Sequence, residues 1–334
     1  MKITKSNNYL IYFIIFLMSN AIINAQSELT GFFDVLSIHN NPEGSKHQFI
    51  INQFELDINY AHKSNFTVGT AIAYNSDSQN MELAMAFVHY NLDDGPAKHP
   101  RRVETYDHSA FQIGKFDMPF GLDYLSFASI DRPTITQPLV IEKTIGGWND
   151  IGVDFHTFVS NFKFDVWAVN GFDEGIGLGG NVRYSFFPFL DLGFSHSSDI
   201  VELKERKDWL SGVDLKVDYS IFELKAEYLW MKGVYEGERD TLTSNDRHHG
   251  VYFQLLTETE ELTNLPIFFT LRYGAWQSEY DRDSDGIDDC QKRYTASVGY
   301  RVGENITFRA EFVSNQIDES EIENQGFLQF AVGF

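Results

Sequence analysis

The chain is poor in several features that hold or direct other folds. It has a single cysteine, Cys290, which excludes any internal disulfide and argues against a small stapled exported domain. Linkers rich in proline, serine or glycine are absent, so the chain reads as one domain. Positive charge is scarce, and the net charge is −22. Such a chain would be repelled by a phosphate backbone, which excludes nucleic acid as a partner. Acidic solvent-facing loops account for the excess. Beyond Ala25 no apolar run reaches the roughly 20 residues that a membrane-crossing helix needs.

Residues 1–25 have a different character. Lys2 and Lys5 precede an unbroken apolar run from Tyr9 to Met18, and small and polar residues lead to Ile23-Asn24-Ala25. This is the layout of a cleaved secretory signal, and losing it takes the charge of residues 26–334 to −24. Ile23 is larger than the residue usual at that place, so a retained anchor is the alternative. The absence of a nearby cysteine speaks against an N-terminal lipid anchor.

What the chain has in abundance is aromatic residues, 30 Phe, 16 Tyr and 5 Trp, and alternation with a period of two. In Ile306-Thr307-Phe308-Arg309-Ala310-Glu311-Phe312 one face is apolar and the other is Thr, Arg and Glu. Phe54 to Tyr60, Phe222 to Tyr228 and Tyr294 to Val302 repeat the pattern. Successive side chains of a strand point to opposite faces, so each segment has one oily and one charged side. Sixteen such strands are expected, starting near residues 29, 48, 65, 81, 108, 150, 161, 174, 189, 207, 220, 247, 265, 291, 304 and 324. Links after strands 2, 6, 8, 10 and 14 are tight, whereas those after 1, 5, 9, 11, 13 and 15 are longer and polar. Short turns alternating with long loops, together with aromatic girdles, are the signature of an all-β, transmembrane antiparallel barrel spanning 26–334. Asn91 to Asp107 breaks the rhythm, being long where a short turn is expected. A soluble secreted β-sandwich, with its oily faces stacked together, is the competing architecture.

The last strand places Leu328, Phe330, Val332 and Phe334 on one face and must pair with the first strand, since hydrocarbon tolerates no open edge. A terminal Phe at that spacing resembles the recognition signal of bacterial barrel-assembly substrates. The partners this implies are the assembly machinery, outer-membrane lipid and lipopolysaccharide.

The connection after strand 5 is the most distinctive stretch. Gly114-Lys115-Phe116-Asp117-Met118-Pro119-Phe120-Gly121 opens it, Ile130 to Leu139 forms its middle, and Asn149-Asp150-Ile151-Gly152 begins the next strand. Here the sequence resembles the Gram-negative outer-membrane porins, in particular the phosphate-selective porin superfamily. The resemblance implies a passive sixteen-stranded channel, commonly a homotrimer, in which residues 117–149 fold inward as a constriction loop. A loop this long and this apolar must pack on something; covering the barrel mouth or contacting a neighbour are the alternatives. Within it only Arg132 and Lys143 are basic, besides Lys115 at its start, which departs from the lysine- and arginine-rich constriction of that superfamily.

The charged faces carry equal numbers of acids and bases, but the bases cluster. Arg272, Arg293, Arg301 and Arg309 fall on strands 13 to 15, opposite strands 5 and 6 in a sixteen-membered ring. An arginine ladder is therefore expected across a water-filled gap from Asp117, Asp123, Asp131 and Glu142, creating a transverse field. The alternative is that these arginines pair with lumen carboxylates such as Glu311. Trp167 and Trp276 point inward by alternation and are candidate stacking platforms for sugars.

A separate motif, Asp281-Arg282-Asp283-Ser284-Asp285-Gly286-Ile287-Asp288-Asp289, places Asp281, Asp283, Asp285 and Asp289 at positions 1, 3, 5 and 9 of a loop. It resembles calcium loops of thrombospondin type-3 repeats and EF-hands, although Lys292 stands where a carboxylate would complete the shell. Ca²⁺ in an outer loop, or a solvated acidic turn, are the two readings. Enzymatic chemistry finds little support. His248 and His249 lie near Ser244 without a nucleophile motif and are expected to be exposed at a loop edge, and Cys290 sits among carboxylates that disfavour a thiolate. The expectation is a non-enzymatic porin for small hydrophilic solutes or ions. A solute-specific uptake channel for sugar, phosphate or metal chelate, and a closed structural or adhesive barrel, stand as alternatives.

Overall fold

The computed structural model describes residues 26–41, 48–62, 65–76, 79–92, 109–126, 128–171, 175–202, 208–233, 247–278, 290–317 and 321–334. The candidate signal, most of the long connection after strand 4 and the candidate calcium loop lie outside them.

Sixteen strands form one closed antiparallel barrel. They are β1 (Gln26–Asn41), β2 (Gln48–His62), β3 (Phe66–Asn75), β4 (Asn80–Asn91), β5 (Ala110–Asp117), β6 (Asn149–Val159), β7 (Phe162–Asn170) and β8 (Gly175–Phe187). The second half comprises β9 (Leu190–Glu202), β10 (Trp209–Tyr219), β11 (Phe222–Lys232), β12 (Arg247–Glu258), β13 (Ile267–Ser278), β14 (Cys290–Val302), β15 (Ile306–Ile317) and β16 (Glu321–Gly333). Every strand pairs with its neighbours in sequence, and β1 closes the ring on β16 from Phe32↔Gly333 to Asn41↔Asn324. Reciprocal bonds between Gly31 and Phe334, both 2.9 Å, complete the seam.

Alternation dictates what each face does. Along β13, Phe268, Thr270, Arg272, Gly274 and Trp276 are buried, whereas Phe269 and Leu271 are exposed, Leu271 by 61%. Phe253, Val298, Phe312, Leu328, Ile151 and Val166 lie on the same outward surface. Asp34, Glu55, Asp214, Glu227, Arg293, Arg309 and Glu311 are buried on the inner one. This inverts a water-soluble protein. Leaving large apolar side chains in water forgoes about 1.5–3 kcal/mol each, whereas a lipid-facing band leaves none of that unmet. The stacked-sheet alternative is excluded, because a single closed sheet turns its oily face outward.

The tight links after β6, β8, β10 and β14 are hairpins at one end of the barrel. Ser160 and Ser220 take the left-handed conformation that two-residue turns need, at φ 58° and 54°. Aromatic rings gather beside these turns: Phe162 on Tyr184 at 4.5 Å, Tyr184 edge-on to Phe186 at 4.5 Å, and Phe187 stacked on Phe189 at 5.3 Å. They form the kind of belt found at a membrane interface. One link departs from expectation. That after β15, expected among the longer ones, is only 318–320, because Asn315 pairs with Glu323 and Ser314 with Asn324, so the polar residues continue the ladder.

Candidate functional site

Residues 118–148 leave β5 and return to β6 through a 3-10 turn at Asp123–Ser126 and a short helix at Leu139–Lys143. Hydrogen bonds tie the segment to buried side chains of strands far apart in the ring. Gly121 donates from N to Ser195 Oγ on β9 at 3.0 Å and accepts from Arg183 Nη2 on β8 at 3.2 Å. Asp123 accepts from the Tyr252 hydroxyl on β12 at 3.1 Å. Ser129 donates from Oγ to Asp34 on β1 and from N to Gln53 on β2, both at 2.9 Å. Asp34 sits at a bulge between β1 and β2 and also accepts from Gln53 N and Gln329 Nε2, which holds its carboxylate in place.

The arginines meet the segment directly. Arg272 donates to Thr134 Oγ1 at 2.7 Å, Thr136 O at 3.0 Å, Thr136 Oγ1 at 2.8 Å and Gln137 O at 3.0 Å. Arg293 forms an ion pair with Glu142 at 2.5 Å and donates from Nε to Asn315 at 2.7 Å. Arg309 donates to the carbonyls of Ser129 at 3.2 Å and Ile130 at 2.8 Å. Between them Glu311 accepts from Ile135 N at 2.6 Å and from Thr136 N and Oγ1 at 3.0 and 2.6 Å. The expected ladder is thus corrected. Arg272, Arg293 and Arg309 do not face the segment across water but bind it, because a segment of this length reaches the far strands. Arg301 takes no part: it pairs with Glu258 at 2.6 Å and lies 4.7 Å over the Phe268 ring.

The remaining candidates separate. Asp131 is exposed, Asp117 and Lys143 are half-buried, and Asp123 and Arg132 are buried. Burial pushes the Asp123 carboxyl above its ordinary range, against the pull of Lys225 and Arg272 and the bond from Tyr252. Burial likewise lowers the Arg132 guanidinium, against the opposing influence of Asp123, Asp34 and Glu311. Trp167 and Trp276 point inward but are covered. A Cβ on Gly179 would strike the Trp167 ring, and His248 stacks on Trp276 at 5.7 Å. This corrects the reading of His248 as loop-edge, since it is buried on β12; His249, next to it, is half-buried.

Apolar packing complements the polar grip. Phe116, Met118, Phe120, Leu139, Val140 and Ile141 form one buried cluster with Leu210, Leu229, Met231, Tyr252 and Trp276. Inward-facing glycines make the seats: a Cβ at Gly274 would lie 3.3 Å from Leu139 Cβ, one at Gly250 2.8 Å from Val140 Cγ2, and one at Gly212 3.2 Å from the Phe120 ring. Gly121, at φ 69°, has no room for a side chain against Glu227.

Several interior residues were not singled out from the sequence: Asp34, His89, Asp154, His156 and Tyr252. The alternation Val153-Asp154-Phe155-His156 places the Asp154 carboxylate and the His156 imidazole of β6 inward by the same rule that places Arg309.

No family model matches the chain, and no curated protein matches it. Solved structures do. An OmpF of Salmonella typhi in complex with daunomycin aligns over 93% of this chain and 98% of its own, with TM-score 0.69 and 12% identity. An anion-selective porin of Comamonas acidovorans aligns over 93% and 100%, with TM-score 0.67 and 9% identity. The trimer form of OmpT, an outer membrane protein of Vibrio cholerae, aligns over 93% and 99%, with TM-score 0.62 and 10% identity. At such identities the likeness is one of fold: the chain has the closed sixteen-stranded barrel architecture of these outer-membrane proteins.

Proposed function

We propose that the protein is a channel of a Gram-negative outer membrane, through which small hydrophilic solutes or ions diffuse without covalent chemistry. The observation that carries this reading is the inversion of the wall, with ionic side chains buried inside and large apolar ones exposed outside. Residues 118–148 lie across the lumen in this proposal and set its narrowest part, with the exposed Asp131 and Glu142 nearest the path of solute. Assembly as a homotrimer is supported by the trimeric neighbour, and export by the signal-like residues 1–25. Kinship with the phosphate-selective porins rests on the 114–121 motif alone, and the few basic residues of the segment favour no strong anion preference.

A second reading has its own observation. The apolar cluster that joins the segment to β10–β13 occupies interior space and favours a plugged barrel. Planar-bilayer recording separates the two. A channel gives discrete current steps that grow when residues 128–137 are deleted. A plugged barrel is silent until that deletion is made. Silence in both proteins would overturn the channel reading.

A further inference from the structure

On the wall opposite the arginines, β6 and β7 bring three metal-ligating side chains together. His156 is in register with Asp165 across the strand pair, and Asp154 lies two residues along β6 on the same face. One ligand atom from each lies within 4.8 Å of the other two, and all three residues are buried. His156 Nδ1 and Asp154 Oδ2 are 2.9 Å apart. Asp154 Oδ1 has no hydrogen-bond partner although the residue is only 4% exposed.

Two buried carboxylates converging on one imidazole repel each other unless a cation or a proton lies between them. The cations acting on Asp165 are Arg183 and Lys163. Arg183 is paired with Asp214 at 2.8 Å. On β5, Ala110 faces His156 with only a methyl group, so His89 of β4 reaches over it and stacks on His156 with ring centroids 5.2 Å apart. The two Nε2 atoms are 3.3 Å apart, so His89 steadies the far edge of the His156 ring while Nδ1 faces Asp154.

We propose that Asp154, His156 and Asp165 form a binding site for a divalent first-row transition-metal ion of the Zn²⁺ type, set in the lumen wall. The chemistry selects the class: Ca²⁺ and Mg²⁺ take oxygen ligands, whereas one imidazole with two carboxylates suits zinc and its neighbours. The spacing is compatible. Bonds of about 2.0–2.2 Å in a tetrahedral shell set ligand atoms roughly 3.4 Å apart, a small adjustment from the present arrangement. Three protein ligands leave one position for water or solute.

The test uses the purified full-length protein, folded in detergent, equilibrated with Zn²⁺ and then dialysed before metal analysis. One equivalent retained per chain is expected, weakened about tenfold or more by Asp165→Asn and by His156→Gln. Asp281→Asn, in the separate acidic loop, is expected to leave it unchanged. Heat-modifiable gel mobility checks that the variants fold. Co²⁺ loaded into the unmodified chain supplies a readout that needs no variant, since a low-symmetry nitrogen–oxygen site absorbs in the visible. Failure to retain Zn²⁺, equal retention in both site variants, or a Co²⁺ spectrum indistinguishable from the aqueous ion would each overturn the proposal, leaving a proton shared by the carboxylates.

Discussion

The inner faces of β13–β15 and of β6–β7 stand on opposite sides of the ring and use charge differently. On the first, Arg272, Arg293 and Arg309 all donate to residues 129–142, so their charge holds polypeptide in place. On the second, Asp154 and Asp165 converge on His156, and the segment makes no hydrogen bond to either carboxylate among the described residues. A guanidinium has five donors in a rigid fork, so one Arg272 can satisfy several loop oxygens at once. Carboxylates only accept, and the segment brings its N–H donors to Glu311 and Glu227 rather than to the β6–β7 pair. Asp34 likewise accepts from Ser129 Oγ. The difference teaches that a wall engaged by the segment commits its charges, of either sign, to polypeptide, while a wall it does not engage keeps its carboxylates for a ligand.

The largest break in this comparison should come from Arg272→Met. It removes four bonds to the segment and leaves buried oxygens unmet, a loss of roughly 3 kcal/mol or more given about 1.5–3 kcal/mol for a hydrogen bond to a charged group. A lower unfolding midpoint in urea and a larger single-channel current are expected; no change in either would show that the arginines do not hold the segment. Gly250→Ala probes the apolar side of the same grip. Its methyl would sit 2.8 Å from Val140 and 2.7 Å from the Ala275 carbonyl, and overpacking of this kind costs about 1–3 kcal/mol. The midpoint should fall, and Val140→Ala in the same chain should recover part of the loss. The smallest effect belongs to Glu142→Gln. Glu142 is 47% exposed, and Arg293 keeps Asn315 and the Gln137 carbonyl, so less than about 1 kcal/mol is expected, diminishing with salt. A loss as large as that of Arg272→Met would mean that ion pairing, rather than multiple donation to carbonyls, anchors the segment.

Much of the barrel was legible because alternation survives in nearly every strand. All sixteen expected starts fall within three residues of those observed, including β12 at Arg247 and β2 at Gln48. The inward placing of Arg272, Arg293, Arg309 and Glu311 followed from the same period. What alternation cannot convey is which inward residues meet. The seating of Leu139 against Gly274 depends on the path of a segment without strand periodicity. The meeting of His156 with Asp165 depends on the register of β6 with β7, where a shift of two residues would part them. Strands 13 and 14 do lie opposite strands 5 and 6 in the ring. Opposite strands are nevertheless bridged, since residues 118–148 are long enough to close that distance.

The seam between β1 and β16 has a consequence for how the molecule is made. Fifteen of the pairings join neighbours in sequence and can form in turn, whereas the sixteenth unites residues some three hundred positions apart. Closing so large a loop is slow on entropic grounds, and until it happens two bare edges are exposed to any other strand. The nascent sheet is therefore most vulnerable at its final step, and substitutions that spoil the Gly31–Phe334 clasp should act on the yield of finished barrels more than on the endurance of those already shut.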